Sequence, residues 1–139
     1  MLAYSYPASV TQVAPNDFLV RFADVPEAIT GGATRDEALA NAPDALAAAV
    51  EGYLELGRDL PEPHALAQDE IAVSLDPHLA ARAILLREMS AQGLSKVALA
   101  ARMNRDEKVI RRIVSGKGVS LALTLTALRA IGVRPALAA

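Results

Sequence analysis

The sequence predicts an α+β protein: a small β-sheet with one helix, in the order β-β-β-α-β, followed by an all-α region. Apolar residues alternate with a period of two in the first part, whereas after residue 76 they recur at helical spacing. The net charge of the sequence changes sign at the same position, after residue 76. Residues 1–76 carry thirteen acidic and three basic residues, and residues 77–139 carry three acidic and eleven basic ones. These net charges of −10 and +8 predict two domains, 1–76 and 77–139, with different partners.

Four short stretches predict the strands of the sheet. Residues 4–10 and 17–25 alternate apolar and polar side chains, which is typical of half-buried strands. Residues 28–34, AITGGAT, predict a third short strand or strand end, in which the glycines at 31–32 mark a bend or bulge. Residues 71–75, IAVSL, predict a fourth strand after a Pro-rich connector.

One long helix is predicted between the third and fourth strands. Thr34 and Glu37 form the T-x-x-E pattern of a capping box at its start, and Gly57 ends it. Pro43 lies inside this helix, where it removes one backbone hydrogen bond. Either the helix kinks at Pro43 or Asn41 caps a restarted segment, and we favour a single kinked helix.

Each of the four helices predicted after residue 75 is bounded by residues typical of helix ends. Asp and Ser side chains accept hydrogen bonds from first-turn amides, and the predicted N-caps are Asp76, Ser95, Asp106 and Ser120. Gly and Asn tolerate the left-handed backbone that ends many helices, and the predicted stops are Gly93, Asn104, Gly116 and Gly132.

The second and third of these helices predict a helix-turn-helix. Leu99 lies halfway along the first of them, and Ile110 and Ile113 face inward from the second. Residues 96–117 hold seven basic and two acidic residues, and the outward face of the second helix carries Glu107, Lys108, Arg111 and Arg112. This arrangement predicts binding to double-stranded DNA. The alternative is a helical bundle whose basic face is simply solvated.

Residues 95–117 also resemble the helix-turn-helix of the phage-repressor (Cro/C1, XRE-type) family. The residues that carry the resemblance are Ser95, Leu99, Ala100, Asp106, Ile110, Ile113 and Gly116. The sequence departs from the family with Asn104 in place of Gly, Arg105 in place of an apolar residue, and Val114 where the family often has Glu.

The resemblance implies which side chains contact DNA. It implies base contacts from the start of the second helix, and phosphate contacts from Ser95 and Lys96 at the capped start of the first helix. The predicted DNA-binding residues are Ser95, Lys96, Arg105, Glu107, Lys108, Arg111, Arg112 and Lys117.

Residues 21–46, RFADVPEAITGGATRDEALANAPDAL, resemble the HicB antitoxin domain. The matching residues are Phe22, Asp24, Val25, Pro26, Thr30, Gly32, Thr34, Glu37, Ala38, Asn41, Ala42, Ala45 and Leu46. The departures are Ala23 for Pro, Glu27 for Gly, and Pro43 within the helix.

This second resemblance implies a fold and a partner. The fold is a partial RNase-H-like β-β-β-α-β unit. The partner is a small basic HicA-type RNase toxin, whose basic face an acidic domain would cover. Asp24 is predicted to lie near the toxin, and the alternative is a turn residue that bonds its own backbone.

The sequence gives no support for catalysis. Residues 1–13 contain no carboxylate to hold a catalytic metal, and Glu37 is explained by the capping box. His64 and His78 have no partner at ligand spacing, so each is expected to be an exposed polar residue. Cysteine is absent. We therefore predict no catalytic residues, no metal, no cofactor and no enzyme activity.

The combined prediction is an antitoxin that also represses its own operator. The alternative is a stand-alone transcription regulator whose N-terminal domain senses a ligand or oligomerises. One helix-turn-helix makes few contacts, so we expect a homodimer or higher homo-oligomer. The last helix either contributes to that dimer or closes the bundle through Leu121, Leu123, Leu125 and Leu128. No apolar run could span a membrane, so the expected location is the cytoplasm.

Overall fold

A computed structural model describes residues 4–134 of the protein. The described residues form two compact units, 4–76 and 77–134. Residues 1–3 and 135–139, at the outer ends of the two predicted domains, lie outside the described residues.

The N-terminal unit follows the predicted order of elements. Its strands and helix are β1 (Ser5–Ala14), β2 (Asp17–Arg21), β3 (Ile29–Gly32), α1 (Arg35–Glu55) and β4 (Ile71–Ser74). The strands form one antiparallel sheet in the order β3-β2-β1-β4, and α1 packs against it. The α+β class is therefore confirmed, whereas likeness to an RNase-H fold stays a prediction.

The core of this unit lies between α1 and one face of the sheet. The side chains that α1 buries are Ala38, Ala42, Leu46, Val50 and Tyr53. They meet sheet and loop residues that are almost fully buried, among them Tyr6, Val20, Phe22 and Val25. Burial of this apolar area is the main stabilising term of so small a unit.

The two adjacent glycines do not form a bulge. Gly31 pairs in regular register with Leu19, and Gly32 pairs with Phe18. A Cβ atom at Gly31 would lie 2.5 Å from the backbone oxygen of Phe18, and one at Gly32 would lie 2.7 Å from the backbone nitrogen of Ala38. Glycine is therefore required by close backbone approach and not by a change of strand direction. The irregularity in the sheet lies in β1 between Gln12 and Ala14.

Helix α1 is continuous through Pro43, so the alternative of a segment restarted at Asn41 is wrong. Pro43 is exposed, and it has no backbone amide to donate to the carbonyl four residues earlier. Asn41 has another role, because its side-chain amide donates to the backbone oxygen of Gly31 at 3.0 Å. The cap at Thr34 is confirmed, since its hydroxyl accepts from the amide of Glu37 at 3.1 Å.

The C-terminal unit contains four helices, α2 (Pro77–Ala91), α3 (Lys96–Met103), α4 (Glu107–Ser115) and α5 (Leu121–Ala130). The predicted N-caps of the last three are confirmed. Ser95, Asp106 and Ser120 accept hydrogen bonds from first-turn amides at 2.8–3.1 Å. Asn104 adopts the left-handed conformation that was predicted, with φ 53° and ψ 48°.

The helices enclose a small apolar core. The largest fully buried side chains in this unit are Leu85, Leu99, Ile110, Ile113 and Leu128. Leu128 therefore closes the bundle and is not available for a dimer contact. The other leucines predicted for that contact are half-buried, namely Leu121, Leu123 and Leu125.

Candidate functional site

The turn between α3 and α4 is tight and held by backbone hydrogen bonds. The amide of Arg105 donates to the carbonyl of Ala100 at 3.0 Å, and the amide of Asn104 donates to Ala101 at 3.2 Å. Asn104 takes the left-handed conformation at the junction, a role in which Asn is the best substitute for Gly. Asn104, which stands where the repressor family has Gly, therefore does not disturb the turn.

Helix α4 separates an apolar face from a basic one. Ile110 and Ile113 are fully buried, whereas Lys108, Arg111 and Arg112 are exposed. This alternation places three cations on one solvent-facing surface of a nine-residue helix. Such a surface can pair with phosphates or with the acceptor atoms of guanine.

Glu107 is the acidic member of this surface. Its Oε1 lies 2.9 Å from Nη2 of Arg111, one turn along the helix. The Arg111 and Glu107 side chains are 61% and 39% exposed. An exposed pair at this spacing stabilises a helix only slightly, by about 0.3–0.5 kcal/mol. It places the Arg111 guanidinium beside the Glu107 carboxylate.

The remaining predicted DNA-binding residues belong to the same unit and are exposed: Ser95, Lys96, Arg105 and Lys117. The Ser95 hydroxyl already accepts a hydrogen bond from the amide of Ala98 at 3.1 Å. The backbone groups at the start of α3 are therefore organised by the cap. Lys96 adds a positive charge next to them.

Arg82 is one of the basic residues of the C-terminal half, yet it is buried in this unit. It is 8% exposed, and its Nε donates to the carbonyl of Val114 at 2.8 Å. Its side chain lies against Gly116, where an added Cβ would be 3.0 Å from Cδ and Nη1 of Arg82. The signal in the sequence is an arginine inside the apolar run LAARAILL.

Asp24 in the N-terminal unit lies in the loop after β2 and is tied to the connector before β4. Its Oδ2 accepts from the backbone amide of His64 at 3.1 Å and lies 2.7 Å from the ring Nδ1 of His64. The side chain of Asp24 is 16% exposed. Neither alternative considered for Asp24 in the sequence included this partner.

His64 is an exposed polar residue as expected, whereas His78 is half-buried. His64 is held on both ring nitrogens, since Nε2 lies 2.8 Å from Oε1 of Glu70. His78 lies 3.3 Å from the hydroxyl of Thr124 through Nε2, and Thr124 is fully buried. The carboxylate partners of His64 are six and forty residues away in the chain, so spacing along the sequence could not reveal them.

These contacts shift two pKa values in opposite directions. Hydrogen bonds from Glu70 and Asp24 raise the pKa of His64, because both favour its charged form. The backbone amide of Ala67 and the ring of His64 lower the pKa of Glu70. The three side chains form what we call the His64 clasp: Asp24, His64 and Glu70.

A second polar cluster links the end of α1 to the loop before β3. The Tyr53 hydroxyl donates to the carboxylate of Glu27 at 2.8 Å, and the Arg58 guanidinium lies 4.5 Å from the centre of the Tyr53 ring. The bond to Glu27 raises the pKa of Tyr53. Glu27 stands where the HicB pattern has Gly. This cluster therefore depends on a residue that the pattern lacks.

Within residues 4–134, no group of three or more His, Cys, Asp or Glu side chains is arranged to hold a metal ion. In the same part of the chain, no helix is both long and apolar enough to cross a membrane.

The chain consists of an acidic α+β unit followed by a basic helical unit, and this combination defines the class of protein. Residues 5–84 match a family model described as the HicB-like antitoxin of bacterial toxin–antitoxin systems. The chain is 39% identical over 114 residues to Antitoxin HicB 2 of Photorhabdus laumondii subsp. laumondii, which covers 81% of each chain.

Two further relatives agree. Antitoxin HicB 1 of the same organism is 36% identical, over 78% of this chain and 68% of the relative. Antitoxin HicB of Escherichia coli (strain K12) is 30% identical, over 78% of each chain. The chain belongs to the HicB-like antitoxin family. Since these antitoxins are regulatory proteins, the expectation that the chain is not an enzyme is confirmed.

Proposed function

We propose that the protein is the antitoxin of a HicA/HicB-type toxin–antitoxin system and represses its own operator. The N-terminal unit binds and blocks a small basic RNase toxin of the HicA type. The C-terminal unit binds double-stranded operator DNA through a helix-turn-helix made of α3 and α4. Both activities place the protein in the cytoplasm.

Family membership and charge support the toxin-binding role. The N-terminal domain carries ten more acidic than basic residues, a surplus that favours association with a basic protein. Asp24 remains the residue that we propose near the toxin. Both of its hydrogen bonds to His64 go to Oδ2, so the clasp holds its loop in one conformation. A preordered loop reduces the entropy that binding would otherwise cost.

The basic face of α4 is the observation that carries the DNA-binding role. Lys108, Arg111 and Arg112 point away from a core made by Ile110 and Ile113. Helix α3 precedes α4 through a tight left-handed turn at Asn104. In a helix-turn-helix this geometry lets the start of the second helix reach base edges while the first helix contacts phosphates.

A homodimer is proposed because one such unit makes few base contacts, and two-fold operators place half-sites one helical turn apart. The half-buried residues Leu121, Leu123 and Leu125 of α5 are the proposed contact.

Co-expression with the adjacent small reading frame tests the toxin-binding role. We expect a small basic protein to co-purify with a tagged copy of this chain, and to be toxic when it is expressed alone. If nothing co-purifies and the neighbour is harmless, the toxin-binding role is wrong. The stand-alone regulator then becomes the better account.

A titration with duplex DNA from the region upstream of the gene tests the DNA-binding role. We expect affinity to fall steeply as salt rises, because basic side chains release counterions from phosphates. An affinity that does not change with salt would contradict binding through this basic face.

A further inference from the structure

Leu66 is a large apolar side chain that the fold leaves 55% exposed, in the connector between α1 and β4. Its neighbours Ala65 and Ala67 are exposed as well, so three consecutive apolar residues face solvent. A single exposed leucine is common on protein surfaces. Leu66 is distinguished by the way in which its segment is held.

Residues 64–70, which we call the Leu66 loop, are closed by hydrogen bonds to Glu70. The Glu70 carboxylate lies 2.8 Å from Nε2 of His64 and accepts from the amide of Ala67 at 2.9 Å. The backbone amide of Glu70 donates in turn to the carbonyl of Ala67 at 3.1 Å. Leu66 lies between the residues that make these bonds, so the backbone is held on both sides of it.

The Leu66 loop is also attached to the rest of the N-terminal unit. Asp24, in the loop after β2, accepts from the backbone amide of His64 at 3.1 Å. Just before the loop, the hydroxyl of the buried Tyr6 in β1 donates to the carbonyl of Pro61 at 2.7 Å. The connector is therefore fixed although it contains no helix or strand. A side chain on a fixed loop loses less entropy when a partner binds it.

The surroundings of Leu66 are acidic. Residues 58–70 hold four acidic residues and one arginine, so they stay acidic even when their one histidine is charged. Glu62 and Asp69 are exposed, and Asp24 adds a carboxylate from the neighbouring loop. An apolar centre with a polar rim is the usual composition of a protein interface. An acidic rim favours a basic partner over a second copy of this acidic unit.

We propose that Leu66 is the apolar anchor of the toxin-binding surface and is covered by an apolar patch of the small basic RNase toxin. The acidic side chains around it speed the encounter, whereas burial of the leucine slows dissociation. This inference rests on the proposed toxin-binding role and names a residue that holds the toxin in place. It also gives the His64 clasp a function, because the clasp joins Leu66 and Asp24 in one ordered surface.

The test compares Leu66→Ala with a matched control, Val13→Ala. The dissociation constant is measured for the small basic protein of the adjacent reading frame, isolated from the co-expressed complex. Val13 is 54% exposed and lies at the end of β1 that β4 does not pair with. We expect Leu66→Ala to raise the dissociation constant at least about tenfold, because it removes most of the side chain that the toxin covers. Val13→Ala should change it less than about twofold.

Leu66→Asp separates apolar contact from charge. If the toxin is held by electrostatic attraction alone, one more carboxylate in this acidic surface leaves binding unchanged or strengthens it. If Leu66 is buried in the complex, the same substitution buries a charge and weakens binding more than Leu66→Ala does. Wild-type or tighter binding by Leu66→Asp would therefore overturn the inference.

Thermal unfolding of each variant checks that the fold is kept, which we expect because the substituted side chains are exposed. If a folded Leu66→Ala binds the toxin as tightly as the wild type, Leu66 is not an anchor and the inference is wrong. If the wild-type chain binds no protein from the adjacent reading frame, the proposed toxin-binding role itself fails. These two outcomes are distinct.

A second measurement uses the unchanged protein. The methyl signals of Leu66 are followed by nuclear magnetic resonance while the toxin is added, with Leu66→Ala used for assignment. We expect these signals to shift and to show close contacts with toxin protons. Methyl signals that stay unchanged while the backbone amide of Asp24 shifts would show that the toxin does not cover Leu66.

Discussion

At the scale of single residues, the His64 clasp shows how the Pro-rich connector is held. One histidine joins the loop after β2 to the start of β4 through Asp24 and Glu70. Each of its ring nitrogens faces a carboxylate, so the charged form of the imidazole donates on both sides. The connector is therefore attached by charge-assisted bonds and not only by packing.

The pKa of His64 should lie above its ordinary value of about 6.5. Its folded-state pKa is raised, so the clasp stabilises the fold below about pH 6.5, and the effect is lost as pH rises through the raised pKa. Glu70 has a lowered pKa, so its contribution is present above about pH 4.3 and lost as pH falls further.

Nuclear magnetic resonance titration of the His64 ring measures this pKa directly. We expect Glu70→Gln to lower it more than Asp24→Asn does, because the bond to Glu70 is the larger cause. A His64 that titrates at its ordinary value in the unchanged protein would show that the clasp does not form in solution.

Gly31 makes a second prediction at this scale. Gly31→Ala puts a methyl group 2.5 Å from the carbonyl oxygen of Phe18, so β2 and β3 must separate. We expect a loss of about 1–3 kcal/mol in the free energy of unfolding, measured with urea. Gly52→Ala is the control, because nothing lies within 4 Å of its added Cβ and it is inside α1. That variant should gain roughly 0.5–1 kcal/mol. Equal effects at the two positions would contradict the close approach at Gly31.

At the scale of elements, α4 combines two requirements in nine residues. Its buried isoleucines fix the helix in the bundle, and its exposed cations face solvent, where a polyanion can reach them. The caps at Asp106 and Gly116 define both ends of the helix. Because the two faces are separate, the charge of one can be changed without disturbing the packing of the other.

The double variant Lys108→Glu/Arg112→Glu should abolish operator binding while leaving the fold intact. Both side chains are exposed, so circular dichroism and the unfolding temperature should change little. Affinity for the upstream duplex, measured by fluorescence anisotropy, should fall by at least about a hundredfold, since two attractive contacts to DNA become repulsive. Arg129→Glu is the control for a general charge effect. Unchanged binding by the double variant would exclude α4 as the recognition helix.

At the scale of the whole molecule, the two units carry opposite charge, which suits the two different partners that we propose. The acidic unit suits a basic protein, and the basic unit suits DNA. Both proposed complexes therefore depend on electrostatic attraction, which salt screens over about 8–10 Å at physiological ionic strength.

Association with the co-purified toxin should accordingly slow as salt increases. We expect the association rate constant from stopped-flow fluorescence to fall at least about tenfold between low and high salt, with a smaller change in the dissociation rate. The Lys108→Glu/Arg112→Glu variant should keep wild-type toxin association. If that variant also lost the toxin, the assignment of one partner to each unit would be wrong.

The sequence by itself determined the local features of this protein. The caps at Thr34, Ser95 and Asp106 and the left-handed Asn104 are where their residue types predict them. Such features depend on interactions within about four residues, which the sequence displays directly. The order of elements was visible for the same reason. The change of net charge between residues 1–76 and 77–139 is read directly from the composition.

Only the tertiary structure decided the features that join distant parts of the chain. His64 meets Asp24 across forty residues, and Arg82 meets Val114 across thirty-two. Gly31 is needed because β2 passes close to it, and α1 continues through the exposed Pro43. These contacts depend on the path of the backbone through space. The identities of these residues do not reveal their partners, because the fold could have brought any acid, carbonyl or strand to the same position.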